Sequence, residues 1–153
     1  MHPASEQHKP EQSMYERYWG LNGSPFQGTH DLRWFIETTG HEEALARLNF
    51  LVAERRHFGL LRGPAGTGKT LVLQAARRDA IQRGREVASV DLFGLDSHEM
   101  LWQLAVALRL SPNANCSRWW LWQAVTDHLQ ALSSANLPQV LLCDHLERAE
   151  SDC

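Results

Sequence analysis

The stretch Gly63-Pro-Ala-Gly-Thr-Gly-Lys69-Thr70 decides how this chain is read. It satisfies G-x-x-x-x-G-K-[ST] in full, and its flanks are the ones that pattern needs. The apolar run Phe58-Gly-Leu-Leu61 before it predicts a buried strand, and Leu71 to Ile81 after it predicts a helix. Strand, glycine loop and helix in that order make a phosphate-binding loop. Successive backbone N–H groups of such a loop curl round a phosphate, and the helix N-terminus adds partial positive charge. Gly63, Gly66 and Gly68 allow the close backbone approach that a Cβ blocks, with Pro64, Ala65, Thr67 and Leu71 in the same cradle. Lys69 is expected to reach the β- and γ-phosphates, and Thr70 to offer its hydroxyl to Mg²⁺. Chance produces this match in well under ~1% of chains of this length. A glycine-rich turn that merely caps a helix is the bland alternative, and the flanks argue against it.

Downstream, the helix is expected to end near Arg83-Gly84, with arginines in its last turns and glycine as the stop. Glu86-Val-Ala-Ser-Val-Asp91 alternates and is β-branched, so it reads as a strand. Asp96 or Ser97 then caps a helix running to about Leu110, with Glu99 in its first turn. After the break Ser111-Pro-Asn-Ala-Asn115, a further helix spans about Ser117 to Ser133. Its Trp119, Trp122, Val125, Leu129 and Leu132 form an apolar stripe. Those tryptophans are expected in the core or against another domain; stacking on bases is less favoured, since Arg118 is the only basic residue among them. Pro138 opens the last strand, Gln139-Val-Leu-Leu-Cys-Asp144. An apolar strand ending in an acid is the second half of a phosphate-loop site, and Asp144 is expected to hold the Mg²⁺ shell through water.

Upstream, residues 1–13 are polar, carry Pro3 and Pro10 and lack periodicity, which predicts a disordered lead-in to a domain over residues 14–153. Met14-Tyr-Glu-Arg-Tyr-Trp-Gly-Leu21 and the turn signals of Asn22-Gly-Ser-Pro-Phe26 leave two readings open, a strap across the surface or a small satellite core. From Thr39 a helix begins, capped by Thr39 or Gly40, with Ala44, Leu45, Leu48, Leu51 and Val52 at helical spacing. His41-Glu42 lacks a second histidine at ligand spacing and reads as a helix start.

The totals set bounds. With 153 residues and a net charge of −3, the chain has room for one domain and no global basic field for nucleic acid. Cys116, Cys143 and Cys153 lack disulfide or metal spacing and suit a reducing cytoplasm. No apolar run approaches the ~20 residues of a membrane helix.

The order of these pieces resembles a known family. Tyr15-x-x-Tyr18-Trp-Gly-Leu21, Ser24-Pro-Phe26, Thr29-His-Asp31, Trp34-Phe35 and His41-Glu-Glu-Ala-Leu-Ala46 look like the opening of the ATPase domain of general secretion pathway protein A. That family lies in the AAA+ division of P-loop ATPases. The resemblance implies a three-layer α/β fold, a parallel sheet with helices on both faces, and binding of ATP with Mg²⁺. It also implies hydrolysis that drives assembly or remodelling of a protein partner, with a homo-oligomer possible. The adenine would be sought near Pro25-Phe26. A non-hydrolysing nucleotide switch is the rival from another class. The same core is similar to transposition-associated ATPases, which act with a DNA-bound partner.

Departures from the family pattern bear on chemistry. His30 and Leu32 stand where prolines are usual. His145 stands where the family has the glutamate that polarises the attacking water, which leaves His145 at the catalytic base position with a different shape and charge. Glu147 is two positions along, the wrong place if the strand continues. The sequence ends nine residues past Asp144, so the remaining strands and the helical lid of the family fold are expected to be missing, leaving a gap in mid-sheet.

Overall fold

The computed structural model describes residues 14–21 and 31–148. The expected lead-in, the adenine-side Pro25-Phe26 and His30 lie outside them. Helix α1 is Met14–Trp19, α2 Thr39–Ala53 and α3 Lys69–Gln82. Strand β1, Glu86–Asp91, is followed by α4, Ser97–Ala107, α5, Arg118–Ser134, and strand β2, Gln139–Asp144. Short 3-10 turns occupy Leu32–Trp34 and Leu146–Arg148.

β1 and β2 pair in parallel and in register, from Glu86 opposite Gln139 to Asp91 opposite Asp144. A parallel pair needs a long crossover, and α4 and α5 supply it. Ala88, on one face of β1, packs with Leu101, Ala105, Leu108, Leu121 and Val125 of that crossover in one buried cluster. The opposite face, carrying Ser89 and Asp91, shares a cleft with α3 residues Thr70, Leu73, Gln74 and Arg77. α3 buries Val72, Ala75, Ala76 and Ala80, a helical stripe of small residues that lets it lie close to the sheet. α2 packs on α3, with Asn49 Nδ2 donating to Asp79 Oδ2 at 3.1 Å. Helix, sheet and helix therefore form the three layers of a P-loop NTPase core.

Local chemistry explains the ends. Asp96 caps α4, accepting from the N–H groups of His98 and Glu99, while Glu99 takes the Asp96 N–H in return. Ser117 caps α5 through the Trp120 N–H. α3 ends as its arginine–glycine pair predicts. Gly84, at φ 73°, donates to Ile81 O, and Arg85 donates to Ala80 O.

Three expectations need correction. Phe58-Gly-Leu-Leu61 forms no strand; β1 and β2 make the one sheet among the described residues, and Phe58 and Leu60 are exposed. An apolar run encodes a tendency to be buried, but a strand also needs a neighbour to bond, and this segment finds none. The buried face of α5 is set by Leu121 and Val125, not by its tryptophans: Trp119 is 71% and Trp122 58% exposed. The aromatic segment at 14–19 is a helix with no buried residue, its rings resting on each other, Tyr18 edge-on to Trp19 at 5.2 Å. That helix adds nothing to a buried core among the described residues, and the part of the expected strap or satellite core at residues 22–26 lies outside them. The cap of α2 is Thr38, one residue ahead of the expected pair.

Candidate functional site

Residues 63–68 close on themselves before α3 begins. Thr67 Oγ1 donates to Pro64 O at 2.9 Å, and Lys69 Nζ donates to Gly63 O and Pro64 O, each at 3.0 Å. The ammonium is thus held over the loop by two carbonyls, with a third proton left to donate. Gly66 and Gly68 both sit at positive φ, 77° and 78°. Gly68 is the N-cap of α3, and its carbonyl accepts the Val72 N–H at 3.0 Å. The next residues, Lys69, Thr70 and Leu71, open the helix, where N–H groups lack helical partners and the dipole is positive. A Cβ on Gly63 would come within 3.1 Å of Thr67 Oγ1. Positive-φ glycines, a helix N-terminus and a lysine ammonium over the loop fit a phosphate.

The expected magnesium residues meet in one place. Thr70, Asp144 and His145 line a cleft of about 180 Å³ with Gln74, Arg77, Ser89 and Asp91. A hydroxyl and a carboxylate at the end of a strand, with room for water, are the donor set that Mg²⁺ accepts. Asp144 Oδ1 also accepts the N–H of His145 at 2.9 Å.

His145 departs from strand geometry. At φ 55° it turns the chain after β2, so Glu147 falls in the following 3-10 turn, exposed and outside the cleft lining. Its ring folds back across the strand ends, Nδ1 lying 2.8 Å from Asp91 Oδ1, with Phe93 edge-on at 5.8 Å. The hydrogen bond to Asp91 raises its pKa above the ordinary 6.5, and the negative charges of Asp144, Asp91 and Glu147 add to the rise against a smaller opposing effect of burial.

Two residues of this site escaped the sequence reading. Asp91 had a signal: β1 and β2 are six-residue strands that both end in aspartate, and in-register parallel pairing sets those acids side by side. His41 had less of one. Read as a helix start, it does lie in the first turn of α2, but its Nε2 reaches Thr67 O at 2.9 Å, across 26 residues of sequence.

A glycine-rich phosphate loop at a helix N-terminus, facing an acid-ended parallel strand, defines a P-loop nucleotide-binding fold. Residues 52–153 match the AAA domain family, and the chain belongs to it. It is also similar to general secretion pathway protein A of Aeromonas hydrophila, with 28% identity over 134 residues. That match takes in 88% of this chain but 24% of the relative, so the chain spans about a quarter of its length. No solved structure matches. Among the described residues no helix is long and apolar enough to cross a membrane.

Proposed function

We propose that this chain is an ATP-binding module that takes Mg-ATP at residues 63–71, with its output in the assembly or remodelling of a protein partner. The observation that carries the reading is the meeting of Thr70, at the start of α3, with Asp144, at the end of β2, in one cleft beside the glycine loop. The backbone of 63–68 would cradle the β-phosphate, and Lys69 would exchange its loop carbonyls for phosphate oxygens. Thr70 would ligate Mg²⁺ and Asp144 would hold its water shell. The metal supplies charge neutralisation on the phosphates. Secretion or cell-envelope work is the setting that fits the named relative.

A specific observation favours a second reading of the same site, nucleotide binding with little or no turnover. His145 stands at the base position with Nδ1 engaged by Asp91 and its pKa raised. With Nδ1 turned to Asp91, the ring has only Nε2 left for an attacking water, where a carboxylate would offer two oxygens. Titration calorimetry with Mg-ATP, run beside phosphate-release assays, separates the readings. Binding that Lys69→Ala abolishes is expected. Phosphate release above that variant makes the module an ATPase; release no faster than the variant makes it a switch. Absence of binding by the wild-type chain overturns both.

A further inference from the structure

The imidazole of His41 is bonded at both nitrogens, and its partners fix its tautomer. The Thr38 N–H points at Nδ1 from 3.3 Å, and a backbone N–H can only donate, so Nδ1 is the acceptor. Nε2 then carries the proton and donates to Thr67 O, which can only accept, at 2.9 Å. Both ends agree on one tautomer. Thr38 Oγ1, 3.2 Å from Nδ1, and the ring of Phe35, 5.0 Å away between centroids, hold the imidazole in place.

The consequence lies on the far side of the peptide. Thr67 C=O and Gly68 N–H belong to one planar trans unit and point in opposite directions. A donor that holds the carbonyl toward α2 therefore aims the Gly68 N–H away from α2, into the loop. Peptides in phosphate loops need this choice made, because a carbonyl turned inward would face the anion that the N–H should meet. Gly68 itself, at φ 78°, has no side chain to resist rotation of that unit. The His41 ring also fills the space beside it: a Cβ on Gly68 would lie 3.0 Å from Nε2.

We propose that His41 is a positioning residue for phosphate binding, presetting the Thr67–Gly68 peptide so that the Gly68 amide donates to the bound phosphate. The inference rests on the Mg-ATP reading above and adds to it a residue from outside the loop. His41 touches no substrate; it acts through the backbone.

Three variants test it by Mg-ATP titration calorimetry, with the melting temperature of the nucleotide-free protein measured for each. His41→Phe keeps the ring and its packing but removes the donor. His41→Gln places an amide N–H close to where Nε2 stands, and His41→Asn is too short to reach. Expected are a loss of about tenfold or more in affinity for His41→Phe and His41→Asn, and affinity within about threefold of wild type for His41→Gln. A packing role alone predicts the reverse order, with the phenylalanine variant the best binder. The Gly68 amide gives the spectroscopic check. Its ¹H–¹⁵N resonance should move strongly on adding Mg-ADP to the wild type and the glutamine variant, and little in the phenylalanine variant. Equal affinities for Gln and Asn, or full affinity for Phe, overturn the proposal while leaving nucleotide binding intact. If wild type fails to bind, both readings fall together.

Discussion

Replacing Gly68 by alanine tests the loop where its backbone and its support meet. The residue sits at φ 78°, ψ 17°, in the left-handed region that costs an L-residue about 1–2 kcal/mol. Alanine at Gly84, at φ 73° with nothing within 4 Å of the added Cβ, would carry that cost alone. At Gly68 the new methyl group also meets His41 Nε2 at 3.0 Å, so the ring must retreat by a few tenths of an ångström. It is tethered behind by Thr38 and Phe35, and retreat stretches the 2.9 Å bond to Thr67 O. Losing that bond adds about 0.5–1.5 kcal/mol. The gain from restricting the unfolded chain is common to both variants and cancels between them. Gly68→Ala is therefore expected to be less stable than Gly84→Ala by about 0.5–1.5 kcal/mol in urea unfolding, or a few degrees in melting temperature. The excess should vanish when both are made in a His41→Ala background. Equal destabilisation in the wild-type background would refute the tethered-ring account.

Two further outcomes follow from the core and the strand ends. Leu121 is fully buried between α4 and α5, so Leu121→Ala should cost about 2–5 kcal/mol by urea denaturation, whereas Trp119→Ala, 71% exposed, should fall within about 0.5 kcal/mol. The imidazole protons of His145, followed by NMR in the magnesium-free protein, should titrate above 6.5, and Asp91→Asn should bring the midpoint down. Because the folded pKa is the higher one, this group's contribution to stability is complete below about 6.5 and fades as pH rises through the folded value.

How much of this was legible depended on how far each determinant lies along the chain. β1 and β2 were readable residue for residue, since β-branched alternation in one, and a proline before an acid-ended apolar run in the other, are local signals. Of the two caps offered for α4, Asp96 is the one used, and Ser117, where the sequence starts α5, is that helix's cap. α4 stops at Ala107, short of the expected Leu110, because Arg109 takes a left-handed turn at φ 64° and Leu110 N–H closes onto Ala105 O. No glycine marks that end, so composition could not show it. The stripe on α5 failed differently. Tryptophans at 119 and 122 and leucines at 121 and 132 offer two overlapping apolar faces, and the smaller residues fit against Leu101 and Ala105. The contact from His41 to Thr67 depends on how α2 packs on α3, which spacing alone cannot predict.

The two halves of the site differ in what they ask of the sequence, and that difference bears on His145. The phosphate half is built from backbone groups, so it tolerates a new proline or alanine in the loop as long as the peptides keep their orientation. The half around residue 145 depends on side chains, and the pairing of β1 with β2 determines what surrounds them. Register sets Asp91 beside Asp144, and the turn after Asp144 brings residue 145 back onto Asp91. A glutamate at 145 in this chain would bring a third carboxylate to that corner, opposed by two like charges. Histidine instead turns Nδ1 to Asp91, while Asp144 receives the backbone N–H of residue 145. A glutamate introduced at 145 while Asp91 remains would leave the corner strained by repulsion. His145 and Asp91, fifty-four positions apart, are therefore to be varied together as one hydrogen-bonded pair.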